Sequence, residues 1–178
     1  MSYHSSKTKA EIFDVKYATA NDEAHVELRQ IAADNLQPFA CHSAGGGSEY
    51  VYIGDFKIRF ADHENISSKH DYPDVNCVDR NLSDAELIGI RAKIGYPEMA
   101  KKTALAKYVG LTVPALKKYL TPDCYEQVVV DPINYPNIKY EFVRVTPALD
   151  LLTQAGVTKR VPIAQETWSV EDYHPGYY

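Results

Sequence analysis

KKTALAKYVGLTVPALKKYL, from Lys101 to Leu120, is the stretch whose interpretation decides the rest of the chain. From Lys102 to Leu120 it meets the demands of two short helices that cross steeply at a tight turn. Close crossing needs a small residue on the first helix, and Ala106 supplies it. The turn favours a residue that takes positive φ without steric cost, and Gly110 stands four positions later. Leu105, Val109 and Leu111 form the buried side of the first helix and turn. Thr112 caps the second helix, Pro114 fits its first turn, and Leu116 and Tyr119 point inward.

The pattern continues on both sides. Upstream, Ser83 and Glu86 have capping-box spacing and start a helix that runs to about Ile94. It carries Leu87, Ile90 and Ile94 on one face and stops at Gly95. Pro97 or Glu98 opens the next helix, which carries the first half of the pair. Downstream, Tyr125 to Val130 and Ile138 to Val145 are β-rich and are separated by the turn-dense Asp131 to Asn137. A short helix is expected from Thr146-Pro147 to Gly156, then a tail that becomes aromatic and acidic from Glu166 to Tyr178.

The N-terminal part has another character. Ile12 to Tyr17 suits a strand, and Asn21 caps a helix carrying Val26, Leu28 and Ile31 that ends near Asn35. Glu49 to Ile53 and Phe56 to Ala61 are strand-like runs joined by Gly54-Asp55, a hairpin signal. Asp62 to Arg80 is polar and is expected to be irregular. The fold class is therefore α+β, in three parts: residues 1–80, a domain with a helix and a β-hairpin; 81–156, the helix pair with a following hairpin and short helix; and 157–178, the tail.

The Lys102 to Leu120 segment closely resembles the helix-turn-helix of bacterial and phage regulators, over about 20 of the 178 residues. Proline early in the second helix departs mildly from the usual polar choice. The resemblance implies binding of double-stranded DNA, with Thr112, Val113, Pro114, Lys117, Lys118 and Thr121 facing outward. Lys117 and Lys118 would reach guanine edges or phosphates, Thr112 and Thr121 would bond phosphate, and Val113 or Pro114 would touch a thymine methyl. Lys101, Lys102 and Lys107 would lie on the first helix near the DNA backbone. The two strands after Thr121 would form the wing of a winged helix. A homodimer would set two such helices about 34 Å apart on half-sites.

Charge supports that segment and opens an alternative. From Arg91 to Lys118 seven basic residues face only Glu98, a net +6, which leaves −11 for the rest of a chain whose total is −5. A basic island attracts phosphate locally. The acidic remainder suits a second class of function, a phage or mobile-element inhibitor or adaptor that binds a host nucleic-acid-processing complex. No apolar run is long enough to span a membrane, and the three scattered cysteines favour a reducing cytoplasm.

Other chemistry is weakly signalled. Asp62, His63, Glu64, His70, Asp71 and Cys77 lie close together but lack zinc-site spacing, so no metal is expected. The loop His42 to Ser48, with Gly45, Gly46 and Gly47, leads into a strand and has no following lysine, unlike a phosphate-binding loop. Cys41 and His42 are sequence neighbours and rarely face each other as a nucleophile and base would. No catalytic residue and no cofactor are expected, and the chain is not expected to be an enzyme.

Overall fold

The computed structural model describes residues 10–15, 18–43, 49–60 and 78–163, which form an α+β fold of helices and three small sheets. Asn21 starts α1 (Asp22–Asp34) because its side-chain oxygen accepts from the Ala24 N–H at 2.8 Å. Ala24, Leu28, Ile31 and Ala32 fall on one face and are buried. Val26, expected beside them, is 62% exposed, because a residue two positions from both Ala24 and Leu28 lies on the far side of a helix.

That face covers a four-stranded sheet ordered β1 (Ala10–Val15), β5 (Phe56–Phe60), β4 (Glu49–Ile53) and β3 (Phe39–Ser43). β1 runs parallel to β5, and the other neighbours are antiparallel. Gly54, at φ +60, makes the expected turn between β4 and β5. A second sheet pairs β2 (Ala18–Ala20) with β6 (Val78–Arg80), which corrects the expectation of irregular chain up to Arg80. Three residues hold too little alternation to announce a strand.

α2 (Asp84–Lys93) starts at Ser83 with both halves of the capping box formed. Its Leu87 and Ile90, with Leu82 and Ile94, pack into the same core as α1 and the first sheet. The N-terminal core therefore runs past the division at residue 80, since α2 docks there rather than on the helix pair.

A second core is built mainly from residue 100 onward, with Leu36 added from the N-terminal part. Pro97 and Glu98 do not open a helix: the chain forms β7 (Met99–Lys101) and turns directly into α3 (Lys102–Tyr108). After α4 (Val113–Lys117) a single 3-10 turn, Pro122–Cys124, leads to β8 (Tyr125–Val129), then to β9 (Lys139–Arg144). The hairpin falls where the sequence places it, and β9 also pairs with β7, giving the antiparallel order β7-β9-β8. α5 starts at Val145, so Thr146 and Pro147 lie inside its first turn and Arg144 is the residue before it. The strand feeds the helix with no intervening loop, which leaves no place for a capping threonine. The helix ends at Gln154, two residues before Gly156 at φ +87.

The cores meet at defined contacts. Leu36, just past α1, is buried in the second cluster. Gln37, itself buried, donates from Nε2 to the Gly95 carbonyl at 2.5 Å. Val157 and Ile163 of the segment after α5 pack on the second core, and the Val161 N–H donates to the Tyr108 carbonyl at 2.7 Å. The tail beyond residue 163 lies outside the described residues.

Candidate nucleic-acid interface

α3 is held from beneath. Leu105 and Ala106 are almost wholly buried, and Tyr108 donates its hydroxyl to the Asp34 carbonyl at the end of α1, at 2.5 Å. Tyr96 meets the same hydroxyl at 3.2 Å, its ring edge-on to Tyr108 at 6.0 Å. Burial pushes the Tyr108 phenol up, with the Tyr96 hydroxyl adding to it, so it stays a protonated donor.

The turn after α3 closes by two bonds. Gly110 N–H donates to the Lys107 carbonyl at 3.1 Å and Leu111 N–H to the Ala106 carbonyl at 2.9 Å. This is the Schellman arrangement, which puts the residue after the cap in the left-handed region; Gly110 has φ +72. Thr112 then caps α4, its Oγ1 accepting from Ala115 N–H at 3.2 Å. Pro114 sits in the first turn, where a missing N–H costs nothing. Leu116, fully buried, fixes the helix to the core.

This anchoring decides what faces out. Thr112, Pro114, Lys117, Lys118 and Thr121 are exposed, as is Lys107 in the last turn of α3. Val113 is half-buried against the second core, so Pro114 is the better exposed of the two apolar candidates. Tyr119, expected to point inward, is 39% exposed, because α4 proper ends at Lys117 and the chain tightens through Lys118 and Tyr119. Thr121 Oγ1 lies 3.6 Å from the sulfur of buried Cys124, which leads the hydroxyl toward the 3-10 turn.

Lys101 and Lys102 are half-buried at the start of α3. The Lys102 ammonium donates to Glu141 Oε1 on β9 at 2.8 Å, and Gln127 Nε2 reaches the other oxygen at 3.2 Å. The Lys102 bond holds the Glu141 carboxyl below its ordinary range, and the charge of Lys117 adds to that. One acidic side chain of the hairpin thus sits among the lysines of the helix pair.

Sequence reasoning missed two contributors. Glu141 was hidden because a cross-sheet ion pair leaves no local pattern. Lys159, past α5, was hidden for a similar reason: its Cδ comes within 3.4 Å of where a side chain on Gly110 would begin, adding a cation beside the turn. The His63-to-Cys77 cluster and the Gly45-to-Gly47 loop lie outside the described residues. Cys41 is exposed on β3, and partial burial of its thiol raises its pKa, opposite to an activated nucleophile. No helix among the described residues is long and apolar enough to cross a membrane. No known family model, curated protein or solved structure matches the chain.

Proposed function

We propose that the chain binds double-stranded DNA through α4 and the residues flanking it, as a sequence-reading regulator or autorepressor. One observation supports this most. α4 is pinned by Leu116 while Thr112, Pro114, Lys117, Lys118 and Thr121 are exposed around it, and residues 99–122 include five lysines and no acidic residue. A short helix presented this way offers its first turn to base edges and its lysines to phosphate. Lys107 and Lys159 extend the positive surface along the turn. Lys102 is partly neutralised by Glu141, so Lys117 and Lys118 take the larger share of phosphate contact.

The test is fluorescence anisotropy with duplex DNA from upstream of the chain's own gene and a scrambled duplex, over a salt series. Preference for the upstream duplex, lost in Lys117→Ala/Lys118→Ala, is the expected result. That double variant should also lower the slope of log K against log salt by up to about 2, roughly one per phosphate contact. Equal, salt-steep binding to both duplexes would reduce the activity to backbone attraction. No binding at low salt would sink the DNA reading and leave the inhibitor or adaptor that docks on a host protein complex.

A further inference from the structure

The segment after α5 is built to hold one cation against the helix pair. Val157 and Ile163 pack on the second core, and the Val157 N–H donates to the Leu152 carbonyl at 2.8 Å. Between them the Val161 N–H donates to the carbonyl of Tyr108, the last residue of α3. Residues 157–163 are therefore a strap fixed at both ends and in the middle. It carries two adjacent cations, Lys159 and Arg160.

The two are placed differently. Arg160 turns its guanidinium onto its own surroundings: Nη1 donates to the Val157 and Lys159 carbonyls at 3.0 and 2.8 Å, and Nη2 to Thr153 Oγ1 at 3.1 Å. Those bonds brace the strap and leave Lys159 as the cation it presents. Lys159 is exposed and, among the described residues, enters no ion pair. Its stem lies along Gly110, with Cδ, Cε and Nζ at 3.4, 3.8 and 4.0 Å from where a β-carbon would stand. A cation from beyond α5 thus reaches the turn that opens α4.

α4 then has Lys159 before its start and Lys117 and Lys118 at its end. Its five residues rise about 7.5 Å, and flexible lysine stems at both ends carry the charges toward the roughly 12 Å width of a B-DNA major groove. The two walls of that groove are the phosphate rows of the two strands. An ammonium that holds no carboxylate gives up no ion pair on meeting phosphate, unlike Lys102, which is held by Glu141.

We propose that Lys159 binds the phosphate row on one side of the groove that α4 enters, while Lys117 and Lys118 bind the row on the other. The inference rests on the DNA reading of α4 and adds how the duplex lies on it: one strand at the Gly110 turn, the other beyond Lys118. Phosphate is the same in every sequence, so Lys159 supplies affinity and register but no base preference.

The test is anisotropy over a salt series on the upstream and scrambled duplexes, with Lys159→Ala, Lys159→Arg and Lys93→Ala. The last makes the same charge change at the exposed end of α2, which packs in the other core. Lys159→Ala should lower the slope of log K against log salt by about 1 on both duplexes, with the upstream preference and circular dichroism unchanged. Lys159→Arg should restore the slope, and Lys93→Ala should keep the native one. Neutral methylphosphonates, placed singly in the upstream duplex, then locate the contact. The phosphate that ceases to matter in Lys159→Ala should lie across the major groove from those that cease to matter in Lys117→Ala/Lys118→Ala. A native chain that binds while Lys159→Ala keeps its slope would overturn the proposal and leave the DNA reading standing, and so would one phosphate row shared by both variants. A native chain that binds no duplex would remove both.

Discussion

Leu36 and Gly110 hold the same left-handed backbone position at the ends of α1 and α3, at φ +54 and φ +72, for opposite reasons. Both close a Schellman turn, with Gln37 N–H reaching the Ala32 carbonyl at 2.8 Å in one and Leu111 N–H the Ala106 carbonyl at 2.9 Å in the other. Glycine takes that conformation freely, whereas a side chain there costs roughly 1–2 kcal/mol. Gly110 is the unstrained solution. Leu36 is tolerated because its side chain is fully buried in the second core.

The two positions should therefore respond differently to substitution. Gly110→Ala should destabilise the fold by about 1 kcal/mol, while Gly95→Ala, at ordinary φ and with open space around it, should change little. Leu36→Gly removes the strain but also a buried leucine, worth about 2–5 kcal/mol on truncation, so the net effect is a loss of up to about 4 kcal/mol. Urea denaturation of the three variants checks the order. Stabilisation by Leu36→Gly would refute the packing role.

A pH effect follows from the start of α2. Arg80 grips both oxygens of Glu86 at 2.9 Å, and Ser83 N–H donates to one of them at 2.8 Å. The Arg80 bonds chiefly, helped by Ser83, bring the Glu86 carboxyl down to about 2. A depressed carboxylate stabilises the fold above its unfolded pKa, and the gain is lost as pH falls from there through about 2. With the guanidinium partly exposed the gain is on the order of 1 kcal/mol. Urea midpoints of the native chain and Glu86→Gln should differ at pH 6 and converge towards pH 2. Parallel curves would show that the pair contributes nothing.

Glu141 holds the Lys102 ammonium at 2.8 Å and lies in the field of Lys117. Glu141→Gln should strengthen duplex binding several-fold at low salt, with the gain shrinking as salt rises. Anisotropy measured beside the lysine variants reads this directly. Unchanged affinity would mean that the β9 side of the helix pair does not approach DNA.

The helix pair was legible because its determinants are local. Gly110, Thr112 and Leu116 act within a few residues of where they stand: Gly110 takes the positive φ of the turn, Thr112 caps α4 and Leu116 is buried, as is Ala106. The Asn21 cap and the Ser83–Glu86 box were readable for the same reason. What escaped was settled over long distances or on too few residues. β7 is three residues wedged against a helix, and β6 is equally short. α2 shows an apolar stripe without saying which core it joins. Glu141 reaches Lys102 across 39 positions, which no reading of neighbours detects.

The bond from Tyr108 to the Asp34 carbonyl has a consequence for taking the chain apart. A fragment beginning near residue 95 would keep every element of the second core yet lack Leu36 to fill it and Asp34 to receive the Tyr108 hydroxyl. It would carry a leucine-sized hole and a buried phenol with one acceptor fewer. The helix pair is thus a borrower from the N-terminal half, and heating should melt both halves in one cooperative step.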